Sequence, residues 1–221
     1  DILDTVSPEC FNAITFLYGD LQDIDSLRKI FASNYFDGCF HLAAQSHPPT
    51  SLLHPLDTFR VNIMGTANLI DVIENYQPKC KLMFCSTSEV YGNSGKDGGL
   101  LKETDVLTPS NPYAVSKAAI DLYMQERMTN GKIKGFITRA FSHTGIRRGK
   151  NFSISSDAHQ IASLMKNLTH PFVHNIEVGN LETTRVVIDV KDVVMAYYLL
   201  MLTDGSNGRI FNVCGNVPRK M

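Results

Sequence analysis

The residues in this chain most suited to chemistry are Tyr113 and Lys117, four apart near the start of a helical pattern that opens at Pro112. That spacing puts both side chains on one helix face, with Cβ atoms about 5 to 6 Å apart. An ammonium beside a phenol favours the phenolate, so the pair predicts a tyrosine pKa lowered from its ordinary value of about 10 and a usable acid or base near neutral pH. A second group lies upstream. The apolar run Leu82-Met83-Phe84-Cys85 ends in Ser86-Thr87-Ser88-Glu89, polar residues at the carboxyl end of a predicted strand, where open α/β sheets present side chains to ligands. The Thr87 hydroxyl can hold a substrate oxygen beside Tyr113, and the Glu89 carboxylate can take a second proton. Each also has a plainer reading: Tyr113 and Lys117 as exposed helical residues, Glu89 as a solvated strand-end charge.

These groups must be positioned by an alternation of short β-rich runs and helical-period segments, the pattern of a parallel sheet with crossover helices. The predicted strands are Ile14 to Tyr18, Gly38 to Leu42, Lys81 to Ser86, Gly135 to Phe141, Ile176 to Val178 and Ile210 to Val213. Ile24, Leu27, Ile30 and Phe31 mark one helix face. Pro55 opens a long helix reaching Tyr76, Pro112 opens one reaching Met128, and further helices cover Ser156 to Leu168 and Lys191 to Leu202. Gly92, Gly95 and Gly98 have the spacing of a phosphate-cradling loop. No helical pattern follows to receive a phosphate, so they read as a turn-rich loop. No glycine precedes Gly19. The glycine loop of a first βα unit is therefore expected to be absent from this chain, which reads as a fragment or as the ordered part of a longer protein.

Composition narrows the partners. With 21 Lys+Arg against 22 Asp+Glu the formal charge is -1, so no global basic field attracts nucleic acid. The longest apolar run, Val193 to Leu202, spans 10 residues, short of the roughly 18 needed to cross a bilayer, and a cytoplasmic protein without membrane contact is expected. Five cysteines without a CxxC pair read as reduced, buried thiols. His170 and His174 bracket Pro171 in a predicted loop, and no metal site is expected there or elsewhere.

The segments Ser86-Thr87-Ser88-Glu89 and Asn111-Pro112-Tyr113-Ala114-Val115-Ser116-Lys117 together resemble the extended short-chain dehydrogenase/reductase family, in its nucleotide-sugar branch. The resemblance extends through Tyr18-Gly19-Asp20-Leu21, His41-Leu42-Ala43-Ala44-Gln45-Ser46, Asn62-Ile63-Met64-Gly65-Thr66, Val178-Gly179-Asn180-Leu181 and Phe211-Asn212-Val213, nearly the whole chain. It implies a Rossmann-type doubly wound parallel sheet. Residues 1–145 would form a dinucleotide-binding domain lacking its first βα unit, and 146–221 a smaller, mainly substrate-binding portion that returns a strand and a helix to the main sheet. The implied cofactor is NADP or NAD, and the implied assembly a homodimer or homotetramer. By resemblance, Asp20 and Leu21 meet the adenine, Leu42, Ala43, Ala44 and Ser46 line the cofactor path, and Asn62 braces the central helix. Thr87, Tyr113 and Lys117 become the catalytic set, Lys117 also holding the nicotinamide ribose.

The segment Phe141-Ser142-His143-Thr144-Gly145-Ile146-Arg147-Arg148-Gly149 looks like its counterpart in GDP-mannose 4,6-dehydratases. The resemblance assigns His143 and Arg148 to the cofactor, Ser88, Ser142 and Arg185 to the substrate, and Glu89 to removal of the C5 proton. Two departures are visible: Ser142 stands where asparagine is usual, and Arg185-Val186 replaces Arg-Asp. A GDP-4-keto-6-deoxymannose reductase, another nucleotide-sugar epimerase or decarboxylase, and a non-catalytic dinucleotide-binding protein remain alternatives.

Overall fold

The computed structural model describes residues 6–94, 99–166 and 175–220. Its helices are α1 (Pro8–Asn12), α2 (Ile24–Ser33), α3 (Pro48–Leu53), α4 (Pro55–Phe59), α5 (Gly65–Tyr76), α6 (Pro112–Thr129), α7 (Ser153–Lys166) and α8 (Val190–Leu202). Its strands are β1 (Gly38–His41), β2 (Lys81–Thr87), β3 (Lys134–Ala140), β4 (His143–Thr144), β5 (Thr184–Val186), β6 (Ile188–Asp189), β7 (Ile210–Val213) and β8 (Pro218–Lys220). The main sheet is parallel, in the order β1-β2-β3-β7, and β4–β6 and β5–β8 form two small ladders beside it.

Strand pleating sends alternate side chains to opposite faces, and helices meet both. Leu82, Phe84 and Ile137 pack with Leu27 and Phe31 of α2, Ile70 and Ile73 of α5, and Ile120 and Met124 of α6. Met83 and Phe136 turn the other way, onto Val193 and Tyr197 of α8. Strands buried on both faces must be apolar at successive positions, which is why β2 reads as the run Leu82 to Cys85. Ile70, Leu82 and Phe84 are fully buried, and each such side chain contributes roughly 1.5 to 3 kcal/mol of apolar transfer.

Three expectations fail for physical reasons. Ile14 to Tyr18 forms no strand, and Tyr18 is 96% exposed. Its composition suits a strand, but a strand exists only where a neighbour completes the ladder. Ile176 to Val178 is likewise irregular, because Gln160 of α7 takes over its backbone bonds: Glu177 N–H donates to Gln160 Oε1 at 2.9 Å, and Gln160 Nε2 donates to Glu177 O at 2.9 Å. The helix from Pro55 to Tyr76 is interrupted by a π-helical turn at Arg60–Met64. The expectation of buried cysteines holds only in part, since all five thiols are free but Cys10 and Cys214 are exposed.

Gly92, read as a loop residue, has φ +52°, and a Cβ there would lie 1.7 Å from the Thr108 carbonyl oxygen. Its glycine is demanded by backbone approach; Gly95 and Gly98 lie outside the described residues. So do His170 and His174, and among the described residues no group of three or more His, Cys, Asp or Glu gathers as a metal site. No described helix is long and apolar enough to cross a membrane.

Sheet and central helix are joined by one buried polar network. Asp121 of α6 is fully buried and accepts two hydrogen bonds from Arg139 of β3, Nε to Oδ2 at 2.9 Å and Nη2 to Oδ1 at 2.9 Å. Asp121 also accepts from Ser86 Oγ of β2 at 2.7 Å. Arg139 Nη1 goes on to the Tyr91 hydroxyl and the Glu103 carbonyl, each at 2.9 Å, and the Tyr91 hydroxyl donates to Asn212 Oδ1 of β7 at 2.7 Å. Burial opposes the Arg139 charge, but the Asp121 carboxylate and the Tyr91 oxygen outweigh it and raise the guanidinium pKa. Removing one partner strands a buried charge, so Asp121→Ala should cost about 3 to 5 kcal/mol of unfolding free energy in urea titrations. A loss below about 1 kcal/mol would show that the pair is not the clamp its burial implies.

Candidate active site

The site begins where β2 ends. Thr87, buried, caps the 3₁₀ turn Ser88–Tyr91 by accepting from Glu89 N–H at 3.3 Å. Opposite stands the first turn of α6, capped by Asn111, whose Oδ1 accepts from Ala114 N–H at 2.8 Å. Pro112 fits the first helical position because it has no N–H to satisfy. Tyr113 follows, and its N–H, one of the orphan donors of a helix start, is taken by Ser51 Oγ of α3 at 3.1 Å. Ser51 in turn donates to Pro48 O at 2.7 Å. The amide of Asn111 does a second job, with Nδ2 donating to Glu89 Oε2 at 2.9 Å.

The π-helical turn places Asn62 between two elements. Its Oδ1 accepts from Gln45 N–H at 2.8 Å, and its Nδ2 donates to Gln45 O at 3.0 Å and to Ser116 Oγ at 2.9 Å. Ser116 Oγ donates to Tyr113 O at 2.7 Å. One amide thus ties the loop after β1 to the helix that carries Tyr113 and Lys117, a use of a π-turn often found at functional sites.

Tyr113 and Lys117 are both buried, at 9% and 5% exposure. Burial pushes the Tyr113 phenol above its ordinary range, with Cys85 and Glu89 adding to the effect; the Thr87 hydroxyl and the Arg148 charge pull it only partly back. The lowered tyrosine pKa expected from helical spacing is therefore not what this structure holds. Lys117 Nζ donates to the Cys85 carbonyl at 2.7 Å and lies 4.8 Å from the Phe84 ring centroid, and burial lowers its own pKa. Next to it, His41 approaches Thr66 Oγ1 at 2.8 Å through Nε2, and burial, with the Lys117 charge, holds its pKa down to about 4.

The remaining expected residues divide between the site and its margins. Leu42, Ala43, Ala44 and Ser46 occupy the loop leaving β1, at the carboxyl edge of the sheet, with Leu42 exposed. Leu21 packs into the core beneath them, its carbonyl held by Asn68 Nδ2 at 2.8 Å. A Cβ on Gly65 would lie 2.9 Å from Leu21 Cβ, so α5 can approach only through a glycine. Asp20 serves a turn, its carboxylate accepting from Gln22 N–H at 2.9 Å. Ser88 is half-buried in the 3₁₀ turn. His143, with Nδ1 2.9 Å from Phe141 O, lines a cavity of about 200 Å³ together with Arg148 and Val190. Ser142 is exposed, and its carbonyl accepts from Ile188 N–H at 3.1 Å. Arg185 stands exposed on β5, opposite Arg219 of β8.

Several contributors escaped sequence reasoning. Pro112 was legible as a helix start, and the Asn111 cap was missed although an asparagine just before that proline is a local signal; Ser51, the second bond of Asn111, and the Cys85 thiol beside Tyr197 OH at 3.4 Å depend on distant elements and left no local signal.

With this geometry in view, comparison with known proteins assigns the family. The sequence profile described as GDP-mannose 4,6 dehydratase matches residues 2–218. This chain belongs to that family. Within the GDP-mannose 4,6-dehydratase family and the wider extended short-chain dehydrogenase/reductase group, it is 33% identical over 203 residues to a GDP-6-deoxy-D-mannose reductase of Pseudomonas aeruginosa, covering 91% of this chain and 65% of that protein. It is 34% identical over 177 residues to a GDP-mannose 4,6-dehydratase of Sordaria araneosa, covering 78% of this chain and 31% of that protein. The chain therefore spans less than two thirds of the length of either relative. Among solved structures, RMD from Pseudomonas aeruginosa complexed with NADPH superposes with a TM-score of 0.83 at 28% identity, covering 96% of this chain and 73% of that one.

The buried imidazole gives a pH signature of this family member. His41 stays neutral in the fold down to about 4, whereas in the unfolded chain it protonates near 6.5. Between those values the unfolded chain binds more protons, so the contribution to stability is full above the unfolded value and is lost as pH falls through the folded one. Nitrogen-15 NMR of the His41 ring should therefore show neutral imidazole at about pH 5. A ring that titrates at its ordinary value would contradict the burial argument.

Proposed function

We propose that this chain is the catalytic part of an NADP-dependent nucleotide-sugar enzyme, and that its reaction is loss of water from GDP-mannose to give GDP-4-keto-6-deoxymannose. The cofactor reading is supported by the donor set. Lys117, almost fully buried at the carboxyl end of β2, makes one hydrogen bond among the described residues. An ammonium carries three donors, so two remain for a ribose hydroxyl. Leu42, Ala43, Ala44, Ser46, Asp20, Leu21, His143 and Arg148 would hold the rest of the dinucleotide, with Asn62 bracing the loop. A bound NADP would supply a reversible store for the hydride that leaves C4 and is returned to C6.

The chain's own groups do the proton work. Tyr113 takes the C4 hydroxyl proton, with the Thr87 hydroxyl steadying the same oxygen. Burial raises the phenol's pKa, so the phenolate is a strong base once formed, and the nearby Arg148 charge favours forming it. The new carbonyl acidifies C5. Glu89 removes that proton and passes it to the C6 oxygen, which departs as water; C5 regains a proton when the hydride returns to C6, offsetting the one Tyr113 took from the C4 hydroxyl, and Ser88, Ser142 and Arg185 would touch the sugar nucleotide. Residues 1–145 would form the cofactor domain and 146–221 the mainly substrate-binding portion. A homodimer or homotetramer is part of the proposal, since Leu56 and Leu122 on neighbouring helices are exposed.

The observation that carries the dehydratase reading is the Asn111 to Glu89 bond at 2.9 Å. It anchors one carboxylate oxygen beside Tyr113, and the other oxygen has no hydrogen-bond partner among the described residues. A reductase is the second reading, favoured by the 33% identity to GDP-6-deoxy-D-mannose reductase. Deuterium placed at C4 of GDP-mannose separates them: a dehydratase should return it to C6 of the same molecule with no net cofactor reduction. Glu89→Gln should slow water loss by about 10² or more. Deuterium retained at C4, or stoichiometric consumption of NADPH with the 4-keto sugar, would replace the dehydratase by the reductase.

A further inference from the structure

Lys117 carries a charge that the interior compensates sparingly. The residue is 5% exposed, it forms no ion pair among the described residues, and its one hydrogen bond there goes to the Cys85 carbonyl at 2.7 Å. Asp121, one turn further along α6, spends its carboxylate on Arg139, Ser86 and Gln125. A buried ammonium without a counter-ion is costly and gives up its proton more readily, and burial lowers the Lys117 pKa. A further source of support lies close by. Lys117 Nζ stands over the Phe84 ring, 4.8 Å from its centroid. The face of an aromatic ring is negative and attracts a cation at that range, most strongly where water is excluded.

The ring is held from several sides. Phe84 is fully buried on β2 among Ile70, Ile73 and Ile120. His41 is its register partner on β1 and stacks against it, with ring centroids 6.0 Å apart and planes at 26°. Thr66 Oγ1, 2.8 Å from His41 Nε2, holds the imidazole in turn. Because burial keeps His41 neutral down to about 4, the ring meets one cation rather than two. β1 ends at that pair while β2 runs on to Thr87. Cys85 therefore has no partner on β1, and its carbonyl is the acceptor that Lys117 reaches.

We propose that Phe84, backed by His41, is a positioning residue for Lys117: the ring face takes the ammonium's charge and, with the Cys85 carbonyl, fixes Nζ at the carboxyl end of β2. The proposal rests on the reading of Lys117 as the residue that holds the ribose, and adds what keeps it protonated and in place. The titratable groups facing Lys117 are His41 of β1 and Cys85 of β2, with Tyr113 one turn earlier on its own helix. None is a carboxylate, which leaves the ring as the electron-rich partner beside the carbonyl.

The test uses the full chain with Phe84 replaced site-specifically by 4-fluoro-, 3,5-difluoro- and 3,4,5-trifluorophenylalanine, which keep the ring's shape while draining its negative face stepwise. Lysines labelled with carbon-13 at Cε report protonation by NMR, and the Lys117 signal is assigned by its loss in Lys117→Met. The ring favours the ammonium, so weakening it should let the proton leave at lower pH. The Lys117 midpoint should fall with each fluorine, by about one pH unit across the series. A ring that only fills space would leave the midpoint where it is. A constant midpoint, or one that moves without regard to fluorine number, would overturn the positioning role. Dispersion of the methyl signals reports folding, and the mono- and difluoro rings, little changed in volume, give readable steps even where the trifluoro ring is not accommodated. Because the readout needs no cofactor, failure of the ribose reading shows separately, as midpoints that fall in order while Lys117→Met leaves NADP affinity unchanged.

Discussion

The Asp121–Arg139 pair is the constraint on which the rest of the molecule depends. A carboxylate on α6 and a guanidinium on β3 have both left water, and each is acceptable only while the other stays in place. Their mutual need sets the helix against the sheet, and Ser86 and Tyr91 extend the network into β2 and the turn that follows it. Thr87 and Glu89 lie between those two residues, while Tyr113 and Lys117 lie on the first turns of the same helix. The pair touches no reacting group, yet it fixes the distance across which Thr87, Glu89, Tyr113 and Lys117 face one another.

A second set of contacts adjusts what the first holds. Asn62, Ser116, Ser51 and Asn111 spend their hydrogen bonds on backbone groups and on Glu89 at the mouth of the site. Each satisfies a donor or acceptor that burial would otherwise leave costly. The consequence is chemical: Tyr113 is desolvated, its proton is bound more tightly, and the nearby charges of Arg148 and Glu89 act on it with less screening than in water.

What could be read from the chain followed from how local each feature is. Tyr113 and Lys117 are one helical turn apart, Ile210 to Val213 is a short β-rich run, and Pro112 suits the first turn of its helix; all three were visible as pattern. Ile14 to Tyr18 has the same composition as a strand but lacks the paired neighbour, and Gln160 diverts the bonds of Ile176 to Val178. Arg139 and Asp121 sit in unremarkable surroundings 18 positions apart. The direction of the Tyr113 shift was missed for the same reason, since spacing reveals the lysine four residues away but not the walls that exclude water.

All of these features bear on the role proposed for Tyr113, proton transfer, and the most direct measurement is a paired determination of kcat and cofactor dissociation constant for Tyr113→Phe with GDP-mannose and NADP. Loss of a general acid/base predicts a kcat reduced by about 10² or more with cofactor affinity nearly unchanged, because the ring and its packing remain. Near-normal turnover in the variant would contradict the role assigned to Tyr113.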